Sequence, residues 1–211
     1  MIADQFRGWP DDFQRFFIGL ELDNSKKYFE ANRRAYEESV KAPMLALVES
    51  LEADFGEGKV FRINRDIRFS KDKSPYKTNI AATVGMGHKG GYLSLNARDF
   101  MVATGRYEMS SEDVVKFRKK VAAEASGSQL ALIMKKLEKA GYEVGGEELK
   151  RVPAPWPQDH PRADLLRRKS LYVWKSFGLQ PWIGSAAARK HVVKVLTDAQ
   201  PLNDWFARNL R

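Results

Sequence analysis

Residues 62–77, RINRDIRFSKDKSPYK, carry the densest chemistry in the chain. Three arginines (Arg62, Arg65, Arg68) and three lysines (Lys71, Lys73, Lys77) surround Asp66, Asp72 and Tyr76. A guanidinium is a planar fork that binds carboxylate or phosphate in a bidentate way. On an extended chain, Arg62, Asn64, Asp66 and Arg68 fall on one face at a repeat of about 6.5–7 Å. The expectation is that Arg62 and Arg68 share one polar cavity with Asp66 between them. The SKDKSPYK turn would add a lysine rim from Lys71, Lys73 and Lys77, and Tyr76 could stack or offer its hydroxyl. The predicted anion-binding set is therefore Arg62, Arg65, Asp66, Arg68, Lys71, Lys73, Tyr76 and Lys77.

Two other readings fit the same residues. Buried charges are costly unless paired, so Arg62, Asp66 and Arg68 could form an ion-pair network reaching Glu30, Glu37 or Glu38. Alternatively, Asp66 or Tyr76 could move a proton on an anionic substrate, which would make the protein an enzyme; the catalytic residues are unassigned. Arg65 is awkward in each case, because it falls on the apolar face with Phe61, Ile63, Ile67 and Phe69. A bulge at Asn64, or a partner reached through the core, would place it.

The elements that must position this stretch follow from period and punctuation. Phe13, Phe16, Phe17 and Leu20 are spaced as on one helical face, with Asp11 as a candidate cap. Asn24 or Ser25 can cap a second helix that buries Tyr28, Phe29 and Tyr36. Pro43 opens a third, which Gly56 ends. From Val60 to Phe69 apolar and polar residues alternate strictly, as in a strand. TNIAATVGM, GYLSLNA and DFMVATGRY read as further strands, the last two turning at Ala97–Arg98–Asp99. Ser110 or Ser111 caps a helix, and Ser126 or Ser128 starts another that Gly141 stops. RVPAPWPQDHP is an irregular connection, KSLYVWKSF a strand, and two helices close the chain. The prediction is an α+β fold: an antiparallel meander with N-terminal, central and C-terminal helices packed around it. It is expected to be one domain over residues 1–211, comprising a helical segment (1–58), a sheet core (59–108) and a mixed remainder (109–211).

Composition narrows the classes. The chain has 211 residues, 43% of them hydrophobic, and no cysteine, which excludes a disulfide framework and thiolate chemistry. No apolar run approaches the about 18 residues of a membrane span, and Met1–Pro10 is too polar for a signal peptide. A cytoplasmic protein without membrane partners is expected. His88, His160 and His191 are far apart, so no metal site is expected, and the sequence specifies no cofactor. GMGHKGG resembles a phosphate-cradling loop, but a strand rather than a helix follows it. Trp156, Trp174, Trp182 and Trp205 are read as packing residues rather than a base-stacking platform. The net charge is +9. Residues 62–77 hold six basic and two acidic side chains, and residues 162–175 hold five and one.

FRINRDIRFSKDKSPYKTN resembles the signature of the domain of unknown function 2461 family. LDNSKKYFEANRRAYEESVKAPMLAL is similar to that family's N-terminal helical segment and HPRADLLRRKS to its C-terminal block. Tyr28–Phe29 stands where the family usually has Trp–Phe. The resemblance implies an α+β protein and supplies no activity, so function rests on the side chains. The preferred reading is a binding module for a phosphorylated or other anionic small molecule. A nucleic-acid or protein interaction module using both basic islands is the alternative, beside the enzyme.

Overall fold

The computed structural model describes residues 6–68, 71–85 and 90–210. Phe69, assigned above to the strand, and Met86 and His88, assigned to the next strand and its loop, lie outside the described residues.

Six strands form one antiparallel sheet: β1 (Lys59–Val60), β2 (Asn79–Val84), β3 (Gly91–Asn96), β4 (Phe100–Arg106), β5 (Glu143–Gly145) and β6 (Leu171–Ser176). Their order is β1-β2-β3-β4-β6-β5. With its surrounding helices the protein is α+β. By internal contacts the chain comprises two compact units, residues 1–102 with 176–194 and residues 103–175 with 195–211.

In the first unit, α1 (Asp12–Leu22) buries Phe13, Phe16, Phe17 and Leu20, the stripe its spacing predicts. Asp11 makes no side-chain cap there. Helix α2 (Lys26–Ala31) is capped by Ser25, whose hydroxyl accepts the Tyr28 N–H. A short α3 (Arg33–Ala35), a π-helix (Tyr36–Lys41) and α4 (Ala42–Phe55) follow almost without a break. Pro43 gives a physical reason for the π segment. It has no N–H for the Ser39 carbonyl, and its ring crowds that carbonyl; a widened turn relieves both. Helix α4 packs on β1 and β2 through Leu47, Val48 and Leu51. Strands β2 and β3 pair antiparallel, Asn79 opposite Asn96 and Val84 opposite Gly91. The Asn96 side chain accepts the N–H groups of Arg98 and Asp99, which fixes the predicted turn before β4.

In the second unit, α5 (Ser111–Ala122) is capped by Ser110 through the Asp113 N–H. It packs with α6 (Glu124–Lys139), with α7 (Ala163–Arg167) and with α9 (Gln200–Asn209). Helix α6 starts at Glu124, ahead of the serines expected to open it. Phe117, Val121, Leu130, Leu137, Trp205 and Phe206 form its core. The three-residue β5, which no periodicity announces, pairs with β6. Helix α8 (Ala187–Asp198), most of which belongs to the first unit, precedes α9.

Among the described residues no helix is long and apolar enough to cross a membrane.

Gly19 shows how closely α1 and α2 are fitted. The Tyr28 ring lies across α1 and donates its hydroxyl to the Phe16 carbonyl at 3.1 Å. A Cβ at Gly19 would run into that ring and its hydroxyl. Gly19→Ala is therefore expected to destabilise the protein by about 1–3 kcal/mol, the usual cost of overpacking, despite alanine's better helix propensity. Urea denaturation of the two proteins checks this; an equal or higher midpoint in the variant would refute it.

Candidate anion-binding cleft

The alternating stretch does not form the strand that its pattern predicts. Beyond β1 one further bond joins the sheet, from the Phe61 N–H to the Ala81 carbonyl at 2.8 Å. The chain then leaves β2 and pairs with its own return limb. Arg65 N–H donates to the Pro75 carbonyl at 2.9 Å, and Lys77 N–H to the Ile63 carbonyl at 2.8 Å. Asn64 and Tyr76 sit opposite each other in this single bridge. Residues 61–65 and 75–77 thus form a narrow two-limbed ribbon. Ile63 is buried, whereas Ile67 is 37% exposed.

One side chain anchors the ribbon. Asn24, in the turn between α1 and α2, donates its amide to the Tyr76 carbonyl at 3.1 Å and accepts the Tyr76 N–H at 3.0 Å. An asparagine amide carries a donor and an acceptor side by side, so it closes a peptide edge as a neighbouring strand would. The fixed Tyr76 ring stacks on Phe29 with centroids 4.3 Å apart and planes 16° off parallel. Tyr36 lies 5.3 Å from Phe29.

Around this stack opens a cleft of about 470 Å³. Helices α2 and α3 and the π-helix supply Lys26, Arg33, Tyr36 and Lys41 to its lining, and the ribbon supplies Phe61, Arg62, Asn64 and Tyr76. Its four basic residues outnumber its two acidic ones, Glu30 and Glu37. Arg33 makes a two-pronged pair with Glu30 at 2.9 and 2.6 Å, and Lys41 pairs with Glu37 at 2.8 Å. Arg33 holds the Glu30 carboxyl below its usual range. Lys26 and Arg62 form no ion pair among the described residues, so they carry the net positive charge of the cleft. Burial, and after it the neighbouring Glu37 charge, pushes the Tyr36 phenol up to about 12. Its hydroxyl stays protonated and available as a donor.

The predicted anion set divides. Arg62 and Tyr76 line the cleft. Asp66 and Arg68 do not: they pair with each other at 2.6 Å on the exposed loop, and Arg68 holds the Asp66 carboxyl below its ordinary value. Asp66 and Arg68 therefore do not join Arg62 in lining this cleft, although the Arg62 charge also helps to lower the Asp66 carboxyl. Arg65 neither bulges the strand nor crosses the core; its guanidinium meets Asp72 inside its own loop. Lys73 donates to the Ile67 carbonyl at 2.9 Å and Lys77 to the Arg62 carbonyl at 3.2 Å, bracing the loop. Lys71 is exposed. Glu30, Glu37 and Glu38 pair within their own helical segments, with Arg33, Lys41 and Arg34, rather than with the ribbon. Lys26, Arg33, Tyr36 and Lys41 were absent from the predicted set. The resemblance to the family's N-terminal segment was the signal that could have pointed to them.

A family model described as "Conserved hypothetical protein (DUF2461)" matches residues 12–205. The chain belongs to that family. The region matched to DUF2461 includes residues 62–77, the Asn24 clamp and the lining of the cleft. No curated protein is similar enough to match the chain. Among the described residues no cluster of three His, Cys, Asp or Glu could hold a metal ion. His160 accepts the Arg162 N–H through Nδ1, and His191 stacks on Trp182 at 3.9 Å.

Two outcomes follow from the anchor and the loop. Asn24→Ala leaves both backbone groups of Tyr76 without their partner and is expected to cost about 1–3 kcal/mol. Amide exchange at Tyr76 should accelerate more than at Ala82; equal exchange would show that the clamp does not hold the ribbon. Asp72 accepts the Ser74 N–H at 2.9 Å, and this bond, with Arg65 adding to it, holds its carboxyl below the usual range. A carboxyl with a depressed folded-state pKa stabilises above its unfolded value and loses that contribution as pH falls through the folded one. Acidification below about pH 3.9 should therefore shift the Ser74 amide resonance; an amide that does not move across this range would contradict the assignment.

Proposed function

We propose that this protein binds a small organic anion, phosphorylated or otherwise acidic, in the cleft between α2, the π-helix and the ribbon. The observation that carries the reading is Arg62. It is a guanidinium without an ion-pair partner among the described residues, lining a cleft of ligand size whose floor is an aromatic stack. Small-molecule sites are typically clefts of about 300–1,000 Å³, apolar in bulk with a few convergent polar groups. Here Phe29, Phe61 and Tyr76 would cover a flat apolar body. Arg62 and Lys26 would take the charge, and the Tyr36 hydroxyl and the Asn64 amide would accept or donate beside it. Side-chain length favours Arg62 as the principal contact, since its fork matches phosphate or carboxylate geometry.

The alternative of a polyanion laid across both basic islands has weaker support. Arg162 is almost fully buried and donates to the Val121 and Ala122 carbonyls and to Glu124. Arg168 pairs with Glu148, Lys169 with Glu147, and Lys175 donates to the Ala140 carbonyl. Of the five basic side chains in that island, these four have internal partners, and the Arg167 side chain has none among the described residues.

Calorimetry with a panel of phosphometabolites and aromatic carboxylates on the intact chain tests the proposal. At least one should bind, and Arg62→Gln should weaken it about tenfold or more, the loss of a charge-assisted contact. Arg68→Gln, on the loop outside the cleft, should bind as the parent does. Equal weakening by both variants would move the site to the loop. Duplex DNA binding with a steep salt slope that Arg167→Gln flattens, with no metabolite heat, would favour the polyanion surface instead.

A further inference from the structure

The second unit holds a cleft of its own, about 490 Å³ in volume. Tyr107, Val114, Val115 and Leu149 give it an apolar wall. Tyr107 is 73% and Val115 50% exposed, an unusual solvent exposure for large apolar side chains. The charged groups lining it are Glu108, Arg118, Glu147 and Lys169. Glu147 and Lys169 neutralise each other as an ion pair.

Arg118 is the group without a counterpart. Its Nε donates to the Leu166 carbonyl at 3.0 Å, near the C-terminal end of α7. Its Nη2 is shielded from solvent and has no hydrogen-bond partner among the described residues. No carboxylate there forms an ion pair with it, and burial alone pulls its pKa down. The partner of its Nε is a neutral carbonyl, so the partly buried guanidinium has no carboxylate against it among the described residues, and an incoming anion would supply one.

We propose that this cleft is a second binding site, taking a small monocarboxylate with an apolar or aromatic body through the guanidinium of Arg118. Arg118 lines the cleft, where its guanidinium would meet a carboxylate. The apolar wall of Tyr107, Val115 and Leu149 covers the body. Charge chooses between anions. Arg118 and Lys169 are balanced by Glu108 and Glu147, so the lining is neutral overall. A single negative charge is compensated by Arg118, whereas a dianionic phosphate meets the exposed Glu108 carboxylate as well. The Arg62 cleft, with its net positive lining, has the opposite preference.

Benzoate, butyrate and inorganic phosphate titrated into the intact protein by calorimetry test the inference. Benzoate is expected to bind and phosphate not to displace it from this site. Arg118→Gln should weaken benzoate about tenfold or more, whereas Arg68→Gln, which lines neither cleft, should leave it unchanged. Val115→Trp, at a half-exposed helix position on the cleft wall, keeps the Arg118 side chain, fills the cleft and should abolish binding; it decides the matter if Arg118→Gln does not fold. No benzoate binding to the parent protein overturns the proposal. So does binding unaffected by either Arg118→Gln or Val115→Trp, or displacement of benzoate by phosphate.

Discussion

The Tyr76 peptide, with both its N–H and its carbonyl held by the Asn24 side chain, is the point on which the cleft depends. On the side away from Asn64 the return limb has no strand beside it among the described residues, so without Asn24 those groups would face water. With the peptide fixed, three things are fixed. The Tyr76 ring lies on Phe29. The limb at Ile63–Arg65 pairs at 75–77. Arg62, one residue before that pairing, is carried to the mouth of the cleft. The neighbouring Ser25 caps α2. Two adjacent polar residues thus start the helix that bears Phe29 and hold the segment that bears Tyr76.

Much of the fold was legible because period and punctuation agree there. Phe13, Phe16, Phe17 and Leu20 are buried as their spacing requires, Gly56 ends α4, and Asn79–Val84, Gly91–Asn96, Phe100–Arg106 and Leu171–Ser176 are strands. The alternation from Val60 to Phe69 misled because a side-chain pattern does not supply a backbone partner. Pro75 lacks an N–H, and Arg62, Asp66 and Arg68 prefer hydration to a sheet face, so the chain pairs briefly with itself instead. The helices hid the other half of the site. Lys26, Arg33, Tyr36, Glu37 and Lys41 recur at helical spacing, but nothing local announces that this face meets the segment around Arg62 and Tyr76.

Charge counts were a weaker guide than charge partners. The two basic islands look alike in sequence, each with an excess of four. In the structure one is largely an internal brace: Arg162 alone makes contacts to two backbone carbonyls, to Ser128 and to Glu124. The other island is mixed. Arg65, Arg68, Lys73 and Lys77 brace the loop, and Arg62 alone of its arginines reaches the cleft. An arginine's availability depends on which carbonyls and carboxylates the fold places within its reach, and that information is non-local.

The π-helix at Tyr36–Lys41 also makes chain length a determinant of the site. Each residue of an α-helix turns about 100° around its axis, so a wide turn is in effect one extra residue of rotation. Deleting a single residue there would restore regular helix and turn Lys26, Phe29 and Arg33 against Met44, Leu47 and Leu51 by about that angle. The apolar side of α4 that grips the sheet would then no longer share an orientation with the polar side of α2 that faces the cleft. Relatives with a one-residue gap in this segment would keep every lining residue type and still lose the cavity's shape.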